Sequence, residues 1–331
     1  KYFKKIMKHT FFTTVLCMVM LTGCQQAEEI TNPSEELPMA IEASIENHMA
    51  SRYASGNNNG TPNSLVFSSG DNIGVFVNDR VADKWTKGNG ENWTSTPSTI
   101  YWPDKVSNHD FYAFYPHQEA LSKTSVPMPS LAGQTGTMES LSKCDFMVAT
   151  TKQSYGTNGI VSFSGTNNCF KHVSSLVAIT ILKESDLKES IITKISFEGA
   201  NTGLGSTTEY SFGTDTEPAT IVKKSSIDIV ESSENFSISM KETEKDLPLY
   251  FILNSGADLA NITFSIEYNT GEKHFTASKS GLGSGSLTSG NRYNFNLNIT
   301  DGVLSISGCE IEGWGTGSNM NDIIINTPTE Q

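Results

Sequence analysis

The sequence predicts an all-β protein built from two antiparallel β-sandwich domains. Apolar and polar residues alternate with period two in several segments of the second half, which is typical of strands with one buried face and one wet face. In the last of these segments Tyr293, Phe295 and Leu297 alternate with asparagines. Glycine-rich segments such as residues 281–290 lie where hairpin turns are expected. No stretch holds a helical period for twelve residues, so helices are not expected to organise the fold.

The N-terminal residues have the features of an export signal. Four lysines precede an apolar run at residues 11–21, which is too short to span a bilayer comfortably. The run closes on Leu21-Thr22-Gly23-Cys24, which resembles the lipoprotein box of bacteria. We therefore predict a lipoprotein signal peptide at residues 1–23 and lipidation of Cys24, which would hold the protein on a membrane through several acyl chains. The alternative is an ordinary signal peptide with an incidental cysteine.

Charge and cysteine content exclude several classes of function. The chain has a net charge of −13, and loss of the four signal lysines would make it −17. Such an acidic surface argues against a nucleic-acid partner. Beyond the signal and Cys24 there are only Cys144, Cys169 and Cys309, which are widely spaced. They form neither a disulfide framework nor a CxxC metal site, and we expect no metal and no cofactor.

The first element after the signal is a polar, acidic tether at residues 24–38. Residues 39–46 then alternate apolar and polar, which predicts a strand that buries Met39, Ile41, Ala43 and Ile45. An Asn- and Gly-rich loop follows, and it cannot form regular structure.

Removal of the signal would leave 308 residues, more than one core usually organises, so we expect two domains at residues 39–168 and 169–331. Strands of the first domain are predicted at 64–67, 73–77, 101–102, 111–115, 144–150 and 160–163. Strands of the second are predicted at 177–181, 193–197, 249–253, 262–268 and 293–299.

Catalytic signals are absent from the sequence. It contains no HExxH, GxSxG, Walker or GxGxxG motif, and its six histidines are scattered. We therefore expect no enzymatic activity. Two tryptophans, Trp85 and Trp93, lie among polar residues. They could form an aromatic platform that stacks on sugar rings, or they could be ordinary core residues.

Several short motifs resemble the fimbrillin (Mfa-like) family of Bacteroidales. In order along the chain they are the lipoprotein box, the alternating strand with an Arg after it, Ser69-Gly70-Asp71-Asn72-Ile73-Gly74-Val75-Phe76, Tyr101-Trp102-Pro103, Phe111-Tyr112-Ala113-Phe114-Tyr115-Pro116, Phe170-Lys171-His172-Val173 and Ile311-Glu312-Gly313-Trp314. The resemblance extends over nearly the whole chain after the signal. It implies that the two sandwiches are transthyretin-like.

The resemblance also implies a function, that of a type V pilus subunit. Such a subunit is exported as a lipoprotein to the outer membrane, loses its N-terminal strand to a trypsin-like protease, and assembles with other pilus subunits into an extracellular fimbrium. Carried over to this sequence, the displaced strand is residues 39–46 and the cleaved bond joins Arg52 to Tyr53. Arg80 is a second candidate for cleavage.

In such assembly the groove left by the first strand is filled by C-terminal strands of the next subunit. Here the candidate donor is Ile323, Ile324 and Ile325, a β-branched run that follows a flexible glycine-rich segment, together with residues 303–311. The alternative is that residues 323–325 form an ordinary core strand of their own subunit.

A surface glycan-binding lipoprotein is the alternative function, because it too would combine a lipid anchor, a tether and β-sandwiches with exposed aromatic residues. Its partner would be a host or bacterial surface glycan or protein, and its contacts would be Trp85 and Trp93. A hydrolase ranks third, since the sequence has no recognisable carboxylate pair.

The anchor prediction is tested by Cys24→Ser. Acylation requires the thiol, so we expect an unlipidated protein that leaves the detergent phase in phase partitioning, with Cys17→Ser as the matched control that stays in it. A Cys24→Ser protein that still partitions into detergent would exclude lipidation at this residue.

Overall fold

The computed structural model describes residues 36–46, 66–199, 202–205, 208–223, 228–240 and 246–313. The fold is 51% strand and 4% helix, which confirms the all-β prediction. In chain order the strands are β1 (Ala40–Ala43), β2 (Asn72–Val77), β3 (Asp83–Lys87), β4 (Trp93–Thr96), β5 (His109–Tyr115), β6 (Val126–Pro127), β7 (Met147–Gln153), β8 (Ile160–Phe163), β9 (Lys171–His172), β10 (Ser175–Ile181), β11 (Ser190–Gly199), β12 (Thr208–Ser211), β13 (Thr220–Lys223), β14 (Ile229–Glu231), β15 (Ile238–Ser239), β16 (Leu247–Leu253), β17 (Ile262–Thr270), β18 (Lys273–Ser280), β19 (Asn291–Thr300) and β20 (Val303–Gly313).

The part of the chain that the structure describes contains few helices, and these are short. α1 (Met138–Leu141) and α2 (Gly165–Asn168) have four residues each, and a single 3-10 turn lies at Leu259–Asn261. None of the helices in the described ranges is long and apolar enough to cross a membrane.

The first large sheet has six antiparallel strands in the order β4-β3-β2-β5-β7-β9. The apolar run predicted as a central strand forms β2 and pairs with β3 on one side and β5 on the other. One face of the sheet carries Phe76 and Phe114, which pack in a cluster with Tyr210 and Phe212. Tyr210 lies on β12 and Phe212 directly follows that strand, so the three-stranded sheet β13-β12-β6 covers that face.

The second half forms a sandwich of two sheets, with four and five strands. One has the order β16-β10-β19-β20 and the other the order β14-β11-β17-β18, with β15 also paired to β11. Phe197 of β11 contacts Phe251 of the facing sheet, with ring centroids 5.2 Å apart. The alternation predicted at residues 262–268 and 293–299 is confirmed, because the apolar members of both runs are buried in this core.

Two of the pairings between the described strands are parallel. β10 runs parallel to β19 inside the second sandwich, and β1 runs parallel to β8. Parallel neighbours need a long connection, and the sequence separation of both pairs provides one. Period-two alternation sets which face is buried but not the direction of the partner strand, so the sequence could not distinguish these cases.

The division into domains at residues 168 and 169 stays a prediction, and the described residues from Pro38 onward belong to one unit. Strand β9 lies after that division yet completes the first sheet by pairing with β7. The hairpin of β12 and β13 also returns to the first half, where Met128 N–H donates to the Thr208 carbonyl at 3.1 Å and Phe212 N–H donates to the Lys123 carbonyl at 2.9 Å.

Some predicted strand positions are wrong. Residues 101–102 form only an isolated bridge, between Tyr101 and Pro38. The strand predicted at 144–150 begins later, at Met147, because residues 138–141 form α1 and Cys144 N–H and Asp145 N–H both donate to the Leu141 carbonyl. A strand is also predicted at 64–67, and Val66 and Phe67, the two of these residues that the structure describes, do not lie in a strand.

Candidate functional site: the seat of the first strand

Strand β1 shows the period-two burial that the sequence predicted. Met39, Ile41 and Ile45 are buried, and Ala43 is half-buried. Glu42, between them, is exposed. One face of the segment therefore packs into the protein and the other faces solvent, as expected for a strand laid into a surface groove.

The backbone of β1 pairs with β8. The parallel register places Ala40 opposite Ile160 and Ala43 opposite Phe163. At the two ends of this ladder, Ala40 N–H donates to the Gly159 carbonyl at 3.1 Å and Ser44 N–H donates to the Phe163 carbonyl at 3.0 Å. Among the described strands, β1 is the one ladder partner of β8, since the two make a sheet of their own.

Each end of the first strand has a further backbone contact. Met39 N–H donates to the Ile100 carbonyl at 2.8 Å. At the far end, Glu46 N–H donates to the Phe170 carbonyl at 2.8 Å, and Phe170 N–H donates to the Ser44 carbonyl at 2.9 Å. Residues 39–46 are thus paired with β8, and their two ends are hydrogen-bonded to segments that precede and follow β8 in the sequence. We call this site, formed by β8, Ile100 and Phe170, the seat.

Aromatic rings lie beside the far end of this seat. Phe170 contacts Phe163 at 6.0 Å between ring centroids and Phe67 at 5.1 Å. Phe67 in turn packs edge-on against Trp93 at 5.3 Å. Such edge-to-face contacts favour a fixed arrangement of rings, each adding about 0.5–1.5 kcal/mol beyond area burial.

Of the two alternatives for Trp85 and Trp93, the structure agrees with core residues and not with an exposed aromatic platform. Their exposed fractions are 2% and 9%. Trp85 lies on β3 and Trp93 on β4, so both belong to the first sheet instead of a polar loop. The Lys87 ammonium lies 5.5 Å from the centre of the Trp93 ring. Neither ring presents a face to a sugar, because sheet packing covers both.

Strand β20 is an exposed edge strand. It pairs with β19 alone among the described strands, and Val303 and Ile311 keep exposed fractions of 67% and 53%. This is the segment that the resemblance assigned to strand donation, at residues 303–311. An exposed apolar edge is a ready partner for another chain.

Several predicted site residues lie outside the described part of the chain. These are Cys24, Arg52, Tyr53, Ile323, Ile324 and Ile325. Of the predicted site residues, the structure therefore brings together Met39, Ile41, Ala43 and Ile45 on the inward face of the segment that contains β1.

The buried titratable groups near the seat have structural partners. His172 and Asp145 are both buried and lie 2.9 Å apart, from Nδ1 to Oδ1. Burial raises the pKa of the Cys169 thiol, and the nearby Glu46 carboxylate raises that pKa further. A raised pKa keeps this thiol protonated and poorly nucleophilic at neutral pH. The described residues contain no group of three or more His, Cys, Asp or Glu side chains placed to hold a metal ion.

Sequence reasoning missed two residues whose side chains hydrogen-bond to backbone carbonyls at β8. Trp102 Nε1–H donates to the Gly159 carbonyl at 2.8 Å, and the Gln153 side-chain amide donates to the Ser162 carbonyl at 3.2 Å. The first bond joins residues 57 positions apart in the sequence, and the second joins residues nine positions apart across a turn. The only local signal was the aromatic residue next to a proline, Trp102-Pro103, which equally fits a core position.

The packing of β1 predicts a large effect for Ile41→Ala and a small one for Glu42→Ala. Truncating a buried isoleucine typically costs about 2–5 kcal/mol, whereas an exposed position costs within about 0.5 kcal/mol. Urea unfolding of the uncleaved protein should show this difference. Equal losses for the two variants would mean that β1 is not seated with Ile41 inward.

Comparison with known proteins gives a consistent picture. A family model described as fimbrillin-like matches residues 53–314. A candidate fimbrium subunit of Bacteroides uniformis, Fim1C, is 26% identical over 138 residues, which are 39% of this chain and 43% of that protein, so the chain spans less than half the length of this relative.

Solved structures share the fold. A candidate cell adhesion protein of Bacteroides uniformis is 18% identical with a TM-score of 0.53, over 85% of this chain and 99% of that one. A candidate cell adhesion protein of Bacteroides ovatus is 17% identical with a TM-score of 0.52, over 84% of this chain and 98% of that one. Since the family match covers most of the chain, this protein belongs to the fimbrillin-like family.

Proposed function

We propose that this chain is a structural and adhesive subunit of a surface fimbrium that assembles by strand exchange. In this proposal the protein is exported as a lipoprotein through Cys24, and a trypsin-like protease separates β1 from the rest of the chain. A strand of another subunit then takes the place of β1. Membership of the fimbrillin-like family and the match to a candidate fimbrium subunit support the coarse function.

The single observation that carries the mechanism is the isolation of the β1–β8 pair. Removing β1 would leave β8 with an unpaired backbone edge and would open apolar space that Met39, Ile41 and Ile45 now fill. An extended peptide that adds to an exposed edge gains main-chain hydrogen bonds, and side-chain pockets give it specificity. The seat is thus built to accept a second strand of similar pattern.

The cleavage site follows from the position of β1. A cut after Arg52 would separate β1 alone, because that residue lies between β1 and the first sheet. A cut after Arg80 would fall in the turn that joins β2 to β3, where Arg80 N–H donates to the Val77 carbonyl at 3.1 Å. It would detach the central strand of the first sheet together with β1. We therefore propose Arg52 over Arg80.

The proposed donor is the C-terminal part of the chain, residues 303–311 and 323–325. β1 runs parallel to β8, and an incoming strand that takes the same place would put alternate apolar residues inward. Ile323 and Ile325 have the required spacing of two. The proposed location is the outer membrane, through the lipid on Cys24, and then the extracellular fimbrium, and the proposed partners are other pilus subunits and the processing protease.

Limited trypsin digestion of the folded protein tests processing. We expect a main product that begins at Tyr53, and Arg52→Ala should abolish it while the matched Arg80→Ala leaves it unchanged. N-terminal sequencing identifies the product. If the wild-type product keeps residues 39–46 covalently attached, strand release does not occur as proposed.

Truncation after Trp314 tests the donor. The shortened protein should remain folded, lipidated and cleavable but should not polymerise after protease treatment. Gel electrophoresis without denaturation of the sample measures the polymers. A paired substitution, Ile323→Asp with Ile325→Asp, should have the same effect, and Thr327→Asp with Thr329→Asp is its matched control. Polymers of normal length from the truncated protein would exclude residues 323–325 as the donor.

A further inference from the structure

Strand β8 has a second set of contacts that does not involve β1. Its backbone ladder within the described residues is with β1 alone, so strand removal would take away all of its ladder bonds. Of the bonds that remain, two come from side chains outside β8 and its flanking turns. Trp102 donates to the carbonyl of Gly159, just before β8, and Gln153 donates to the carbonyl of Ser162, inside β8.

We call Trp102 and Gln153, the two side chains that donate to carbonyls at β8, the braces. The Gly159 carbonyl accepts a hydrogen bond both from the first strand and from the brace Trp102. It accepts from Ala40 N–H of β1 at 3.1 Å and from the Trp102 indole at 2.8 Å. A carbonyl oxygen has two lone pairs, so both bonds form together. When the Ala40 bond is absent, the Trp102 bond still aims this acceptor at the position that a strand amide must reach.

The braces pack against the first sheet, although the segment that carries Trp102 also contacts the first strand, where Met39 N–H donates to the Ile100 carbonyl and Tyr101 forms a bridge with Pro38. Trp102 is buried and packs edge-on against Phe111 of β5, with ring centroids 5.0 Å apart. Tyr155 also contacts the indole, at 5.8 Å. Gln153 is the last residue of β7, which pairs with β5. Both donors are therefore fixed by packing that strand removal leaves in place.

Gly159 itself fits this arrangement. Its φ is +67°, and a Cβ there would lie 2.8 Å from the Pro38 carbonyl and 2.9 Å from the Tyr155 ring. The strand at this end passes directly over the glycine backbone, so an incoming strand must approach equally closely. The start of the seat therefore has no room for a side chain at residue 159.

We propose that Trp102 and Gln153 are positioning residues that keep β8 in place while the groove is empty, so that it can pair with an incoming strand. This inference rests on the proposed strand exchange. A preformed binding edge lowers the ordering cost of association. Loss of a brace should therefore slow capture of a strand and change its release little, because β8 is held by the ladder once a strand is seated.

The test uses the full chain with a site-specific protease sequence in place of residues 57–60, so that opening the groove does not depend on Arg52. After the cut, the protein is diluted until the N-terminal fragment dissociates. A fluorescent peptide with the sequence of residues 38–46 is then added at increasing concentrations, and its anisotropy gives association and dissociation rates.

Trp102→Phe and Gln153→Leu should each lower the association rate about tenfold and leave the dissociation rate within about twofold. Trp85→Phe is the matched control, because Trp85 is equally buried and its Nε1 has no hydrogen-bond partner in the described part of the chain. The Trp85→Phe variant replaces an indole by a phenyl ring, as Trp102→Phe does, and should associate with the peptide at the wild-type rate. Urea unfolding of each uncut variant measures any general loss of stability.

The outcomes separate the two claims. If the wild-type cut protein takes up no peptide, strand exchange fails. If it takes up peptide and both brace variants associate at the wild-type rate, or lose affinity only through faster dissociation, the positioning role is overturned while strand exchange stands. If Trp102→Phe does not fold, Gln153→Leu alone decides, since it removes one amide donor without removing a ring.

Discussion

The parallel pairing of β1 with β8 is the interaction on which the rest of the proposed function depends. It is a separate two-stranded sheet, attached to the rest of the described residues by side-chain packing and by backbone bonds to Ile100 at one end and Phe170 at the other. A two-stranded sheet alone is marginal in water, so the pair is stable because Ile41 and Ile45 are buried. Burial makes the strand a structural part of the protein, and in the proposed function the small ladder allows another strand to replace it.

Replacement of one strand requires that the remainder stay ordered, and the connections between the two halves serve this. The β12–β13 hairpin covers the face of the first sheet that carries Phe76 and Phe114, and Tyr210 contacts Phe146 at 5.7 Å. Segments from the first half in turn pack into the second core through Leu131 and Leu141. The first sheet thus keeps one covered face that does not involve β1.

Alternation of apolar residues predicted β1, β17 and β19 because each has one buried face, and period two records that face directly. It did not predict β3 and β4, where the buried members Trp85 and Trp93 stand among polar residues and the pattern is short. Nor could it identify the contact between Trp102 and Gly159, since the two residues are brought together only by the fold. Local patterns report which residues are buried, whereas the identity of the partner across the groove is a property of topology.

Magnitudes explain why cleavage by itself would not free the strand. Burying Met39, Ile41 and Ile45 contributes roughly 5–9 kcal/mol as an upper estimate, at about 1.5–3 kcal/mol each. That approaches the whole stability of a typical domain, about 5–15 kcal/mol. A cut chain would lose its strand only on strong dilution or to a competitor that offers similar burial and the same ladder. Cutting converts an intramolecular contact into an exchangeable one, and the sequence of the incoming strand then decides whether exchange occurs.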